Sequence, residues 1–219
     1  FAEMREKYPH EPRVRDAARL AARAAYATGD YQGALSWIPD DNGAPAERDT
    51  FLYLRANSLR QLRRLDEAIA TYNQFIAQCP QSSYLRGVHY ELLLTLFNTN
   101  RYADLLQLAA KVEFDTERAA DVTWMRAEAA AKLKQIPEAV EFYCQIGEKY
   151  PQAAYAGDAW LCAGWLLSER QSWREAAAAL QKVTTDYPAH SQAAQATYMA
   201  GIALARANAG EEALKQWQH

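Results

Sequence analysis

The side chains best able to do chemistry in this chain are four histidines and three cysteines. The histidines lie far apart and form no HExxH or other metal-ligand spacing, which predicts loop or surface positions, with His89 half-buried in a helix. Cys79, Cys144 and Cys162 form no CxxC pair and are odd in number. The sequence therefore encodes neither a zinc site nor a full set of disulfides.

The short motifs that hold phosphates or activate a nucleophile are also missing from the sequence. It contains neither a glycine-rich phosphate loop nor a nucleophile elbow. Most of the carboxylates fall on helix faces that we expect to be solvated. We therefore predict no catalytic residue, no metal and no cofactor, and a protein that is not an enzyme.

Composition narrows the class of protein further. The chain has 219 residues, of which 50% are hydrophobic, and a net charge of −3. The lack of bulk basicity argues against nucleic acid as the main partner. No stretch approaches the roughly 18 consecutive apolar residues of a membrane helix, so we expect no direct membrane insertion of this segment. Abundant alanine, few Gly and Pro and no alternating β-branched pattern predict almost pure helix.

A pair of helical patterns recurs along the chain. Residues 158–188 show it most clearly: two helices joined by a short polar turn and ended by Tyr187-Pro188. A mostly small residue early in the second helix serves as the anchor of each unit, namely Ala34, Ala68, Leu105, Ala139, Ala176 and Ala213. Twelve residues before the anchors stand Ala22, Ala56, Leu93, Ala127, Gly164 and Gly201. Successive anchors are 34 or 37 residues apart, which indicates a repeat array.

The unit resembles the tetratricopeptide repeat. That family places small residues where the two helices cross, as at Gly164 and Ala176, and then a large apolar residue and a closing proline, as at Leu180 and Pro188. The reason is steric, because two helices approach closely only where one presents Gly or Ala. The resemblance covers nearly the whole chain. It implies an all-α fold, a right-handed superhelical solenoid of antiparallel helix pairs.

We predict a single array of about six repeats. The boundaries are 1–12 for the end of a preceding repeat, then 13–45, 46–80, 81–117, 118–151 and 152–188, and 189–219 for an incomplete repeat. Both ends look cut from a longer array. In the third repeat Leu93 and Leu105 replace small residues, so we expect a wider helix spacing there. Helix B of the fourth repeat should pack on helix A of the fifth, which brings Cys144 near Cys162, where buried free thiols are favoured over a disulfide.

Several local signals predict where helices begin. Asp30 is a predicted N-cap of the second helix of the first full repeat, which the Pro39–Pro45 loop makes short. Pro137 suits the first turn of a helix, where its missing N–H costs nothing. Ser172 and Glu175 have the spacing of a capping box.

The resemblance further implies a concave groove lined by the first helix of each pair. Of the six residues 15 positions before the anchors, four are aromatic. The predicted partner-binding groove comprises Arg19, Arg23, Tyr26, Tyr53, Asn57, Arg60, Tyr90, Phe97, Asn98, Trp124, Glu128, Lys132, Trp165 and Tyr198. Aromatic rings bury much area at little entropic cost and amides hold an extended backbone, which favours a peptide or protein partner. For any single ring, packing between adjacent helices is the alternative.

A scaffold for protein–protein interaction, part of a larger bacterial protein, is the function that these features predict. The alternatives are a structural spacer of an envelope assembly or polysaccharide-export protein and a regulatory domain of a larger enzyme. The Tyr-Pro endings at 150–151 and 187–188 resemble the envelope members of the family, such as the periplasmic Tol-Pal coordinator and the outer-membrane assembly lipoprotein. That resemblance favours a periplasmic or outer-membrane-associated location over the cytoplasm. The oligomeric state stays open at this point.

Overall fold

The computed structural model describes Lys7, residues 11–43 and residues 45–218. The predicted end of a preceding repeat, 1–12, falls largely outside these residues. The described residues form helices and no strand, which confirms the all-α prediction. The helices are α1 (Pro12–Ala27), α2 (Tyr31–Trp37), α3 (Arg48–Gln61), α4 (Leu65–Gln78), α5 (Leu85–Asn98), α6 (Tyr102–Ala109), α7 (Thr116–Lys132), α8 (Ile136–Lys149), α9 (Ala156–Glu169), α10 (Trp173–Asp186), α11 (Ala193–Arg206) and α12 (Gly210–Gln218). We call the odd-numbered helices A helices and the even-numbered ones B helices.

Each A helix ends in the same tight turn before its B helix. One residue of the turn has a positive φ, five positions before the anchor in every repeat: Gly29, Arg63, Asn100, Lys134, Gln171 and Asn208. In the turn between α3 and α4 the amide of Arg64 donates to the carbonyl of Leu59 at 2.9 Å, a bond typical of a Schellman motif. The recurrence of this turn supports the repeat register, including that of the third repeat.

Small residues let the two helices of a pair approach closely. A Cβ built on Gly164 would lie 2.6 Å from the Cγ of Leu180, and one on Gly201 would lie 2.1 Å from Nε1 of Trp217. Both contacts join the position 12 before the anchor to the position four after it. The large residue of the B helix therefore fills the space that the glycine leaves on the A helix, as the repeat resemblance implies.

Polar contacts join consecutive pairs at an equivalent place. An aspartate near the start of an A helix accepts a hydrogen bond from the next repeat in three cases: Ser82 to Asp49 at 2.8 Å, Tyr155 to Asp121 at 2.6 Å, and the His190 ring to Asp158 at 3.1 Å. The donor differs each time while the acceptor keeps its type. These bonds fix how far one hairpin is shifted along the next.

The chain divides into two compact units, Phe1–Arg101 and Tyr102–His219. The boundary falls between α5 and α6, the two helices of the predicted third repeat. The core of the first unit includes Ala22, Ile38, Phe51 and Leu54. The core of the second runs from Ala127 to Ala213 and is rich in alanine. In the described part of the chain no helix is both long and apolar enough to cross a membrane.

The helix-start signals are confirmed at two sites and wrong at one. The Asp30 side chain accepts from the amide of Gly33 at 2.8 Å and caps the short α2. Pro137 lies in the first turn of α8. Ser172 makes no side-chain capping bond, although its backbone resembles that of Asp30. The predicted capping box of Ser172 and Glu175 is therefore not formed.

Candidate partner-binding face

The predicted groove residues of the first unit lie on α1, α3 and α5. Only two of them, Arg23 and Asn98, are well exposed. The remaining residues are half-buried or buried: Arg19, Tyr26, Tyr53, Asn57, Arg60, Tyr90 and Phe97. The first unit therefore offers a partner few open side chains from the predicted set.

Asn57 belongs to the core and not to a binding surface, which corrects the sequence-based assignment. Its side chain is 1% exposed, its amide donates to the carbonyl of Tyr53 at 2.9 Å, and its oxygen accepts from the Tyr72 hydroxyl at 3.0 Å. Burial raises the pKa of Tyr72 well above its usual range, so this hydroxyl remains a donor at any ordinary pH. An amide held in this way does not hold a peptide backbone.

Internal contacts also occupy other predicted residues of the first unit. Arg60 on α3 forms an ion pair with Glu91 on α5 at 3.1 Å. Tyr53 stacks on Tyr84 with ring centroids 4.7 Å apart, and Tyr26 meets Tyr31 edge to face at 5.5 Å. Arg19 pairs with Asp16 at 2.8 Å. For these rings the alternative of packing within the array is the one that the structure shows.

In the second unit Trp124 and Glu128 are likewise used inside the protein. The Trp124 ring lies 5.5 Å from the ring of Tyr143 and 5.1 Å from that of Tyr155, so it packs between α8 and the start of α9. The carboxylate of Glu128 accepts a hydrogen bond from the Tyr143 hydroxyl. Both side chains are half-buried, and Trp124 is a packing residue here.

Asn57 and Glu128 follow one rule that sequence analysis missed. Each accepts from a buried tyrosine 15 residues further along, Tyr72 and Tyr143. In each of these two repeats the acceptor lies 11 residues before the anchor, and the tyrosine lies four residues after it. Where the later position is Leu180, the earlier one is Trp165, and a polar residue is not needed. The signal in the sequence was a polar residue 11 before the anchor together with a tyrosine four after it, in the second and fourth repeats.

An aromatic face on α9, α11 and α12 remains open to solvent. Trp165 is 37% exposed and Tyr198 is 60% exposed, and the Trp165 ring nitrogen lies 3.0 Å from the sulfur of Met199. Trp217 is 44% exposed, its centroid is 6.4 Å from that of Tyr198, and its Nε1 donates to the Tyr198 carbonyl at 3.2 Å. We call Trp165, Tyr198, Met199 and Trp217 the aromatic face. Lys132 is exposed on α7.

Met199 and Trp217 were absent from the predicted groove. Met199 directly follows Tyr198 in the sequence and was not among the groove positions. Trp217 belongs to a B helix, where the resemblance implies packing within the helix pair. The side chain of Trp217 crosses α11 at Gly201 and emerges beside Tyr198. The signal that could have found it is the size of the residue, because indole exceeds the space that tyrosine or leucine fills in the other pairs.

The cysteines and the histidines that the structure describes lie in no metal-binding group. All three cysteines are free thiols, so Cys144 and Cys162 are not bonded to each other. No group of three or more His, Cys, Asp or Glu among the described residues could hold a metal ion. His89 is half-buried on α5, as predicted, and burial lowers its pKa.

We expect the two inner thiols to react slowly with alkylating reagents while the protein is folded. Burial, aided by nearby carboxylates, raises the pKa of Cys144 and of Cys162 to about 11. Since only the thiolate reacts, a rise of about two units lowers the reactive fraction at pH 8 roughly a hundredfold. Iodoacetamide labelling followed by peptide mass spectrometry, with the urea-unfolded chain as control, measures this. Equal rates in the folded and unfolded chain would contradict it.

Two family models, each described as tetratricopeptide repeat, match residues 51–82 and residues 163–218. These two segments are similar to tetratricopeptide repeats. The first segment spans most of α3 and all of α4, and the second runs from within α9 through α12 and includes Trp165 and Tyr198. No curated protein sequence matched the chain.

Solved tetratricopeptide structures share the fold. A tetratricopeptide repeat protein from Parabacteroides merdae ATCC 43184 is 11% identical with a TM-score of 0.62, over 93% of this chain and 77% of its own. MamA from Desulfovibrio magneticus RS-1 is 15% identical with a TM-score of 0.60, over 81% and 97%. YrrB, described as a TPR protein with an unusual peptide-binding site, is 22% identical with a TM-score of 0.55, over 76% and 81%. At these identities the likeness concerns the fold alone.

Proposed function

We propose that this protein is a non-enzymatic scaffold whose aromatic face binds an extended peptide or a segment of a partner protein. The observation that carries the proposal is the exposure of Trp165 and Tyr198 on neighbouring A helices. Large rings held open on rigid helices lose little entropy on binding and bury much apolar area. Lys132, on the A helix α7 of the same unit, is an exposed cation.

The exposure of the predicted rings favours the part of the second unit around Trp165 as the binding site. Trp165 is 37% exposed, whereas Tyr53 on the first unit and Trp124 on the second are covered by neighbouring rings. A partner could reach them only by displacing those contacts. The tetratricopeptide repeats and the peptide-binding site of YrrB support a role in protein interaction, and the location on the second unit is our own proposal.

A structural spacer is the second candidate, and one observation favours it. Tyr53, Trp124 and the Arg60–Glu91 ion pair all join successive helix pairs, so several predicted groove residues rigidify the array. A spacer needs this rigidity and no ligand. The two candidates differ in one measurable property, which is whether the aromatic face binds anything.

The double variant Trp165→Ala, Tyr198→Ala is expected to weaken peptide binding at least about tenfold, because exposed aromatic anchors dominate such interfaces. Peptides selected from a displayed random library on the immobilised chain supply the ligand. Their dissociation constants for wild type and variant are then measured by titration calorimetry, with circular dichroism as the check on helicity.

A matched control carries Arg23→Ala and Asn98→Ala, the two exposed groove residues of the first unit. It should bind the selected peptides as the wild type does. If the control loses binding and the aromatic-face variant keeps it, the site lies on the first unit. If the library yields no peptide that distinguishes either variant from the wild type, the spacer candidate is favoured.

A location in the periplasm or at the outer membrane, as for the envelope members of the family, is also a proposal. It rests on the Tyr-Pro endings, Tyr150-Pro151 and Tyr187-Pro188. Fractionation of cells that carry the native gene into cytoplasm, periplasm and membranes, followed by immunoblotting, tests it. Recovery in the cytoplasmic fraction would overturn it.

A further inference from the structure

Two half-buried arginines occupy the same repeat position on α3 and α7. Arg55 and Arg126 each stand 13 residues before the anchor. Each follows a short B helix, α2 with seven residues or α6 with eight, whereas α4 and α8 have 14. In both side chains Nε is buried and makes no hydrogen bond with any described residue. Burial lowers the pKa of both, and an acidic residue, Asp40 or Glu141, opposes the effect. The two guanidinium groups therefore have matching surroundings.

An aromatic ring covers one of these arginines. The guanidinium carbon of Arg126 lies 4.1 Å from the ring centroid of Phe142 on α8. Phe142 stands three residues after the anchor, and the residue at that position on α4 is Thr71. Threonine has no ring, and the Thr71 hydroxyl donates to the carbonyl of Glu67 at 2.7 Å within its own helix. The ring of the fourth repeat therefore has no counterpart at this position in the second.

In the second repeat an open cleft of about 430 Å³ lies between α2, α3 and α4. Arg55 and Thr71 both line it, together with the apolar side chains of Leu35, Ile38 and Leu59. All of these residues lie within the first unit, away from its ends. The cleft thus combines a planar cation with apolar side chains, which is the lining that an aromatic ring requires.

The charges around the cleft favour an uncharged ring over an anion. Arg64 already pairs with Glu67 at 2.6 Å, and Asp40 offsets part of the charge of the half-buried arginine. A ring gains from the guanidinium through its negative face and its stacking surface and brings no charge of its own. The lining also includes exposed Gln32 and Ser36, whose polar side chains suit the backbone of a peptide that carries the ring.

We propose that this cleft binds an aromatic side chain of an extended partner segment, whose ring packs on Arg55 as Phe142 packs on Arg126. The site lies between B helices of the first unit, whereas the aromatic face belongs to the second. Its partner supplies a ring, so the two sites differ in what they offer and do not depend on each other.

The test uses the peptide acetyl-Ala-Ala-Trp-Ala-Ala-amide and ¹⁵N-labelled protein. Ring current from the bound indole should shift the Nε–H signal of Arg55 and leave that of Arg126, which Phe142 already covers. The same peptide with leucine in place of tryptophan should bind about threefold to tenfold more weakly. N-acetyl-tryptophanamide should also bind more weakly than the peptide. Equal affinity would assign the cleft to a free aromatic molecule and overturn the peptide assignment.

Three variants test the cleft, with affinities taken from the shifts of backbone amides on α2 and α4. Thr71→Phe should abolish binding, because its ring fills the cleft as Phe142 does. Thr71→Ser is the matched control, which keeps the hydroxyl and the open cleft and should bind as the wild type does. Arg55→Lys keeps the charge without the planar group and should weaken binding about threefold to tenfold.

Circular dichroism checks that each variant folds, and Arg55→Lys decides the outcome if Thr71→Phe does not. Unchanged affinity in Thr71→Phe or in Arg55→Lys overturns the inference. So does a tryptophan peptide that leaves the Arg55 signal in place, or one that shifts the Arg55 and Arg126 signals alike.

Discussion

Exchange of Gly147 for alanine is expected to destabilise the second unit by about 2 kcal/mol, because overpacking a filled core costs about 1–3 kcal/mol. A Cβ at this position would lie 2.1 Å from Nε1 and 2.3 Å from Cε2 of Trp160, whose ring is 8% exposed. A buried indole is rigid and is enclosed by the alanine-rich core, so α8 and α9 must move apart. Thermal unfolding followed by circular dichroism should show a loss of about 4–8 °C for a chain of this size.

Gly87→Ala is the control with the opposite expected sign. Gly87 lies in α5, and a Cβ there would meet nothing within 4 Å. Alanine is the better helix former, so this exchange should stabilise by up to about 1 kcal/mol. If Gly147→Ala raises the melting temperature as Gly87→Ala does, the close approach of α8 to Trp160 is not as described.

Tyr72→Phe is expected to lower the free energy of unfolding by about 1–3 kcal/mol, which is the cost of leaving a buried acceptor without a donor. The lost hydroxyl donates to the Asn57 oxygen, and the two side chains are 0% and 1% exposed. Water has no access to replace the bond. Urea unfolding monitored by circular dichroism measures the change.

The double variant Tyr72→Phe, Asn57→Leu separates the bond from the packing. It removes both polar partners while roughly keeping their shapes, so it should be more stable than Tyr72→Phe alone. Tyr187→Phe is the control, because the hydrogen bond from its hydroxyl to the Pro151 carbonyl, at 3.1 Å, is exposed to solvent. Its loss should cost less than about 0.5 kcal/mol. Equal losses for Tyr72→Phe and Tyr187→Phe would contradict the role given to Asn57.

Which residues lie inside the helix pairs could be predicted from the sequence. The anchors and the residues 12 before them are all buried, from Ala22 and Ala34 to Gly201 and Ala213. The reason is that each of the six repeats needs a small residue at the same positions. Only one alignment of the repeats places small residues at nearly all of these positions. The turn residues with positive φ, such as Arg63 and Lys134, kept this register too, although their types carry no turn signal.

Which groove residues remain open to a partner was decided by the tertiary structure. The predicted groove places Tyr53, Trp124 and Trp165 on A helices, yet Tyr84 covers the first ring, Tyr155 covers the second, and the third is 37% exposed. Periodicity fixes the side of a helix on which a residue lies, because that depends on the helix alone. The exposure of a residue also depends on the side chains of neighbouring helices. The spacing of residues within one helix does not predict these contacts.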